Sequence, residues 1–324
     1  MSLMNTQQKS KNASSLKKKQ DFLTLADLGE EQLLSLLEEA IDLKSKQKMG
    51  IPHEYAKGKS LAMIFEKAST RTRISFEMGM IQLGGHAIFL NSKDIQLGRG
   101  ESISDTAKVL SGYVDGIMIR TFAHETIEEL AEEASVPVIN GLTDLHHPAQ
   151  VLADLMTIFE RKGKLEGLKL CFIGDGNNNI AHSLLQGAAM TGMDMTVASP
   201  HGFEPDPDLY HQARTAAEQK GSSISFTYSP EEAAVSADVV VTDVWTSMGQ
   251  ENETKKRLAA FKSYQVNEAL CELADSDYMF LHCLPAHRGE EVTAGIIDGP
   301  HSSVFEEAEN RLHAQKALLK MLLA

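Results

Sequence analysis

Ser69-Thr70-Arg71-Thr72-Arg73 alternates hydroxyl and guanidinium groups, and its place in the chain gives the alternation chemical meaning. The run Ser60–Phe65 before it reads as a short buried strand. After it, Ile74, Met78 and Ile81 recur at helical spacing, as do Phe76, Met80 and Leu83, until Gly84-Gly85 ends the pattern. The segment therefore falls on the first turn of a buried helix, where unpaired N–H groups and the positive end of the helix dipole already favour an anion. Hydroxyl donors and two planar Arg forks added there make a phosphate site. The competing interpretation is a capped helix start with solvated arginines.

Further residues with chemistry to offer stand at strand ends. Strand Gly116–Ile119 runs into Arg120, and strand Val136–Ile139 leads to His146-His147-Pro148-Ala149-Gln150, where the proline suits a helix start. Ligands of open α/β sheets sit outside the carboxyl ends of the strands, so Arg120, His147 and Gln150 fall on the rim that carries Ser69–Arg73. Gly174-Asp175-Gly176-Asn177-Asn178-Asn179 follows strand Leu168–Ile173 and invites a dinucleotide site. It fails two tests: Asn179 replaces the third glycine, and the next strand ends Ala198-Ser199-Pro200-His201 without the acidic residue that would hold a ribose. Asp243, just beyond strand Val239–Val241, can receive an ammonium group, with Ser247 nearby. His282-Cys283 suggests a thiol nucleophile, but neighbours on a strand point to opposite faces.

The elements that must position these residues alternate regularly. An amphipathic opening helix carries Leu33, Leu34, Leu37 and Ile41. Strands and helices then alternate twice over, on either side of the polar break Arg161–Gly167, which implies crossovers and parallel sheets covered on both faces. The expected fold is α/β, with two similar doubly wound domains. The first spans 1–155 and the second 156–303, and a last helix, 304–324, follows.

At 324 residues the chain has room for two domains, and 42% hydrophobic with 23% charged residues is ordinary for a globular enzyme. A net charge of −14 argues against a nucleic-acid surface. No apolar run approaches the ~20 residues of a membrane span. Cys171, Cys271 and Cys283 show neither disulfide nor zinc spacing, which favours a reducing compartment. Lys9, Lys11, Lys17, Lys18 and Lys19 open the chain without an apolar core, as a disordered start rather than a targeting signal.

The Ser-Thr-Arg-Thr-Arg segment resembles the carbamoyl-phosphate motif of the aspartate and ornithine carbamoyltransferases. Asp243-Val244-Trp245-Thr246-Ser247-Met248-Gly249 resembles the signature of the ornithine branch, and the likeness runs from about residue 22 to the end. It implies that Ser69, Thr70, Arg71 and Thr72 hold the phosphate and that Arg120 touches phosphate and carbonyl. His147 and Gln150 then hold the carbonyl oxygen and the carbamoyl nitrogen. Gln96, on a loop, reaches a neighbouring subunit's site. Asn178, Asp243, Ser247 and Met248 take the amino acid. Cys283 lies beside the reacting amine, the Leu284 carbonyl contacts the carbamoyl group, and Arg311 binds its oxygen. Arg120, His147, Cys283 and Arg311 are thereby the catalytic set. The implied reaction carries the carbamoyl group of carbamoyl phosphate to the side-chain amine of L-ornithine, giving citrulline and phosphate, without metal or organic cofactor. A cytoplasmic enzyme of arginine metabolism, assembled as a trimer or multiples of it, is implied as well, and the final helix is expected to cross back onto the first domain. The rival within the class is transfer to putrescine or N-acetylornithine.

Overall fold

The structure, a computed structural model, describes residues 19–96, 100–249 and 251–324. Lys9, Lys11, Lys17 and Lys18 of the lysine-rich start lie outside the described residues.

The first half runs α1 (Glu30–Lys48), β1 (Ser60–Phe65), α2 (Thr70–Gln82), β2 (His86–Asn91), α3 (Ile103–Ser111), β3 (Gly116–Arg120), α4 (His124–Glu133), β4 (Val138–Leu142) and α5 (Pro148–Lys162). The second runs β5 (Lys169–Ile173), α6 (Asn179–Thr191), β6 (Asp194–Ala198), α7 (Pro207–Gln219), β7 (Ile224–Thr227), α8 (Pro230–Ala234), β8 (Val239–Val241), α9 (Thr254–Phe261), α10 (Glu268–Cys271), β9 (Met279–Leu281), α11 (Ala294–Ile297) and α12 (Val304–Leu323). Two parallel sheets result, ordered β2-β1-β3-β4 and β7-β6-β5-β8-β9. Strands β3 and β8 inside the sheets and β4 and β9 at their ends are buried at every residue and mostly apolar, because helices cover both faces. The strand expected over Val136–Ile139 begins instead at Val138, beyond Pro137, which has no N–H for the ladder.

Register places the functional rim. Phe65 of β1 pairs with Arg120 of β3, so the chain entering α2 and the Arg120 side chain arrive at one edge. Arg120 in turn stands opposite Leu142 of β4, from which the chain passes to His147. In the second sheet Val241 pairs with Leu281, so Asp243 and Cys283, each two residues further on, leave side by side.

α5 closes on Gly163 at φ 72°, a left-handed residue that glycine adopts without a Cβ clash. α12 packs against α5, α1 and α2, and one apolar core runs through both halves, from Phe22 and Phe76 to Phe172 and Leu319. One expectation fails on α2. Phe76, Met80 and Leu83 are buried, but Ile74, Met78 and Ile81 are 54%, 38% and 53% exposed. Residues 74 and 76 stand roughly 200° apart around a helix, so a helix that packs one stripe inward must turn the other out.

No helix among the described residues is long and apolar enough to cross a membrane.

Candidate active site

A cleft of about 580 Å³ opens between the rims of the two sheets. On one wall, Ser69 caps α2: its Oγ accepts from the Thr72 N–H at 3.2 Å, which leaves the Thr70 and Arg71 N–H groups without intrahelical partners. Arg71 spans the cleft and donates to the Leu284 carbonyl. Leu284 has φ 54° and precedes a cis peptide bond to Pro285. The two-fork expectation needs correction, because Arg73 is turned away. Its guanidinium lies 3.8 Å from the Phe89 ring centroid and 3.5 Å from the Glu77 carboxylate. Arg71 and Arg73 are also roughly 200° apart on the helix, so one surface cannot receive both.

Arg120 and Arg311 complete a cationic wall. The Arg311 Nη2 donates to the Thr72 Oγ1 at 2.7 Å, while the Nε of each arginine is buried without a partner. Among the described residues, no carboxylate is ion-paired to Arg71, Arg120 or Arg311. Burial, followed by repulsion from Arg311 and Arg71, pushes Arg120 down to about 9; burial, followed by Arg71, pushes Arg311 down to about 10. His147 precedes Pro148 at the start of α5. Burial and the three arginines hold its imidazole well below the usual histidine range, hence neutral at pH 7, with Nδ1 unpartnered. Uncompensated buried cations around a helix N-terminus make an anion site.

The opposite wall is polar and weakly anionic. Asn178 caps α6, its Oδ1 accepting from the Ala181 N–H at 2.8 Å and leaving a buried Nδ2 free to donate. The Cys283 Sγ donates to the Asp243 Oδ1 at 3.1 Å, and the Val244 N–H donates to the same oxygen at 2.8 Å. Burial raises the Asp243 carboxyl above its ordinary value; burial and then Asp243 push the Cys283 thiol well above its own. Cys283 therefore stays a thiol at neutral pH, the opposite of an activated nucleophile. His282 faces away, as strand alternation requires. Its Nδ1 accepts from the Leu284 N–H at 2.9 Å and its Nε2 donates to Glu291 at 3.2 Å. Asp243, His282 and Cys283 bring potential metal-ligand atoms within 4.8 Å of one another, but both nitrogens of the histidine are already engaged. Ser247 and Met248 line the mouth.

Three expected residues stand outside the lining. Thr72 lies fully buried behind Arg311, and Gln150 is buried behind His147. Gln96 is exposed on the loop after β2. Other residues had no separate expectation. Lys67 lines the cleft with its side chain only 4% exposed, pairs with the Asp144 carboxylate and lies 4.4 Å from the Phe122 ring centroid. Its sequence signal was its place between strand β1 and the hydroxyl run. Arg257, on α9, pairs with Asp175 at 2.5 Å and donates to the Trp245 carbonyl at 3.1 Å, tying the turn before α6 to the loop after β8. Nothing local in the sequence joins residues so far apart. Gly176 is required by packing: a Cβ there would come within 2.6 Å of Ser199 Oγ and 2.9 Å of Pro205.

Residues 20–160 match the family model for the carbamoyl-phosphate-binding domain of aspartate/ornithine carbamoyltransferase, and residues 166–322 match its Asp/Orn-binding domain. The chain is 62% identical over 303 residues to an ornithine carbamoyltransferase of Bacillus subtilis, covering 94% of this chain and 93% of the relative. It is 60% identical over 306 residues to that of Anoxybacillus flavithermus, covering 94% and 97%. The ornithine carbamoyltransferase of Pyrococcus furiosus superposes with a TM-score of 0.91 at 53% identity, over 94% of this chain and 97% of the other. An anabolic ornithine carbamoyltransferase of Campylobacter jejuni gives 0.88 at 43% identity, over 94% and 98%. With both domain models matched in order and relatives this similar along nearly the whole chain, the protein belongs to the aspartate/ornithine carbamoyltransferase family.

Proposed function

We infer that this chain transfers the carbamoyl group of carbamoyl phosphate to the side-chain amine of L-ornithine, giving L-citrulline and phosphate. The observation that carries the reading is the asymmetry of the cleft. Three arginines without ion pairs among the described residues surround a helix N-terminus on one side, and Asp243 with Cys283 faces them from the other.

The phosphate sits at the start of α2, held by Ser69, Thr70, Arg71 and Thr72 with Arg120. The carbonyl oxygen points to Arg120, His147 and Arg311, where negative charge develops as the amine adds; removing one such donor costs ~10²–10³ in rate. Gln150 and the Leu284 carbonyl hold the carbamoyl nitrogen. Neutral His147 donates without adding a fourth positive charge. Ornithine lies on the second wall: the Asn178 Nδ2 meets its carboxylate, Ser247 and Met248 fix the chain, and Asp243 receives an ammonium group. An alkyl ammonium with a pKa near ~10.4 is no nucleophile, so the amine must lose a proton before attack. Desolvation beside the Cys283 thiol favours the free base, whose first proton leaves to solvent. The second proton, released from the nitrogen as it bonds the carbonyl carbon, goes to the departing phosphate oxygen. The C–N bond forms as the bond to the phosphate oxygen breaks.

Residues 1–155 form the carbamoyl-phosphate domain, with helix 304–324 packed back on it, and 156–303 form the ornithine domain. The contacts of α12 with α1, α2 and α5 support this division. The assembly is a homotrimer or a multiple of it, a reading supported by the exposed stripe Ile74, Met78 and Ile81. Gln96 reaches a neighbouring site. Three free cysteines fit the cytoplasm.

Acceptor-dependent phosphate release from carbamoyl phosphate with ornithine, putrescine, N-acetylornithine and aspartate, with citrulline measured for ornithine, for the native chain and Arg71→Ala, tests the reading. Turnover with ornithine alone, lost in the variant, is expected; turnover with another amine overturns the role of Asp243–Gly249. A mixture of Gln96→Ala and Arg71→Ala chains regains activity if sites are shared between subunits, and stays inactive if they are not.

A further inference from the structure

Directly behind the cationic wall lie two carboxyl groups that the reaction as described does not use. Asp154 is on α5, one turn beyond Gln150, and Glu307 is on α12, one turn before Arg311. Both are buried, 2% and 1% exposed. The Gln150 Nε2 donates to the Asp154 Oδ1 at 2.8 Å and to the Glu307 Oε1 at 2.7 Å. The other Glu307 oxygen accepts the His282 N–H at 2.9 Å. Both hydrogens of the Gln150 amide are thus consumed, while its Oε1 is buried with no partner among the described residues. A buried acceptor left unpaired is costly, and reversing the amide would set that oxygen against two carboxyl groups. The Gln150 backbone N–H donates to the His147 carbonyl at 3.1 Å, so the residue stands on the first turn of α5, directly after the histidine that lines the cleft.

We propose that the Asp154–Glu307 carboxyl pair is a positioning device that locks the Gln150 amide with its oxygen forward, so that the site selects a phosphoryl donor bearing an NH₂ group on its carbonyl carbon. The inference rests on the carbamoyl-phosphate reading above. Within that ligand only the carbamoyl NH₂ has hydrogens to give; the phosphate and the carbonyl oxygen are acceptors served by the arginines. Burial, opposed by the Gln150 hydrogen bond, pushes Asp154 up to about 7, and burial with the neighbouring Asp154 raises Glu307 well above its ordinary value. One proton shared between them removes the repulsion of two buried charges and lets both accept from Gln150. The pair also joins α5, α12 and the end of β9, the three elements that carry His147, Arg311 and Cys283.

Acetyl phosphate, which carries CH₃ where carbamoyl phosphate carries NH₂, is the probe. In Glu307→Gln the new amide must turn its own NH₂ on either the His282 N–H or Gln150, and the lock is lost. The KM for carbamoyl phosphate then rises about tenfold, the size of one hydrogen bond. The inhibition constant of acetyl phosphate and the KM for ornithine stay within about twofold. Asp154→Asn keeps an acceptor for Gln150 and a donor for Glu307, and retains the native ratio of the two phosphates within about threefold. A parallel weakening of both phosphates in Glu307→Gln, or an unchanged ratio, overturns the proposal. If that variant does not fold, Asp154→Leu is read in the same way. Native chain that forms no citrulline overturns this inference together with the function reading, whereas native turnover with an unchanged ratio overturns this one alone.

Discussion

Removing Arg257 separates what the second wall owes to charge from what it owes to shape. Arg257 and Asp175 are 7% and 4% exposed in their side chains, while Glu253, the other acid on Arg257, is 52% exposed. An exposed pair is worth about 0–1 kcal/mol. Removing one member of a buried pair costs about 3–5 kcal/mol, because the remaining charge is stranded away from water. Arg257→Met therefore loses about 3–5 kcal/mol, which lowers the melting temperature by roughly 6–20 °C at ~2–4 °C per kcal/mol. Glu253→Gln loses less than about 1 kcal/mol. If the stranded carboxylate is the cause, adding Asp175→Asn to Arg257→Met recovers at least about 2 kcal/mol, measured by chemical denaturation of the three variants beside the native chain. The same clamp sets the turn that carries Asn178 against the loop that carries Ser247, so Arg257→Met raises the KM for ornithine roughly tenfold and leaves that for carbamoyl phosphate nearly unchanged. A double variant no more stable than Arg257→Met refutes the charge argument. A parallel rise in both KM values refutes the assignment of this clamp to the ornithine wall.

His146 lies edge-on between the His124 and His182 rings, at 5.2 Å and 6.3 Å, and burial lowers it to about 3. Its folded value lies below an unfolded value of about 6.5, so the unfolded state binds the extra proton and stability is lost as pH falls from 6.5 toward 3. His146→Phe removes this term, and denaturation midpoints from pH 7 to pH 4 fall less steeply than in the native chain, by up to about 1.4 kcal/mol per pH unit; identical slopes refute the assignment. Cys283 is held as a thiol by burial and Asp243, so iodoacetamide alkylates it slowly at pH 8, and Asp243→Asn speeds the reaction. Faster alkylation in the native chain than in the variant refutes that account. Thr72→Val removes the 2.7 Å bond to Arg311 and lowers kcat/KM by roughly tenfold or more, as a hydrogen bond to a charged group should; an unchanged kcat/KM shows that Thr72 does not fix that guanidinium.

The fold was legible because it rests on local patterns. The strand Ser60–Phe65, the helix start at the Ser69–Arg73 segment and the proline-led start at Pro148 all agree with the structure. Twelve of the fifteen expected site residues line the cleft, because strand ends and helix starts are local features that parallel topology sends to one rim. Illegible were the partners that only tertiary packing brings together. Periodicity could not tell which of the two apolar stripes of α2 faces inward, and it could not foresee the polar burial on α12. There Glu307, Asn310, Arg311, His313, Gln315 and Lys316 are all at most 3% exposed. A sequence window reads those residues as a solvated face, since charged side chains are almost never fully buried unless paired. Their partners come from other helices: Asn310 donates to Thr157 and accepts from Lys44, and Lys316 donates to Gln47.

That buried polar belt ties the site to the rest of the molecule. The chain carries a net charge of −14, yet three guanidinium groups converge at one helix start without ion pairs among the described residues. Such an arrangement is unfavourable in the free protein, as the lowered values of Arg120 and Arg311 record. It persists only if the surrounding elements hold it, because otherwise the side chains would turn toward solvent or toward the abundant carboxylates. Each arginine is tied to another part of the chain: Arg71 to the Leu284 carbonyl, Arg311 to Thr72, and Arg120 to the last position of β3, which pairs with β1. None of these ties neutralises the charge. The dianion that enters therefore supplies what folding withheld, and the repulsion relieved on binding adds to its affinity. It follows that inorganic phosphate stabilises the native chain far more than Arg120→Met, with the native melting temperature rising in proportion to the logarithm of phosphate concentration. Equal thermal shifts in the two proteins would show that the cations are compensated within the fold and that the site does not work by stored repulsion.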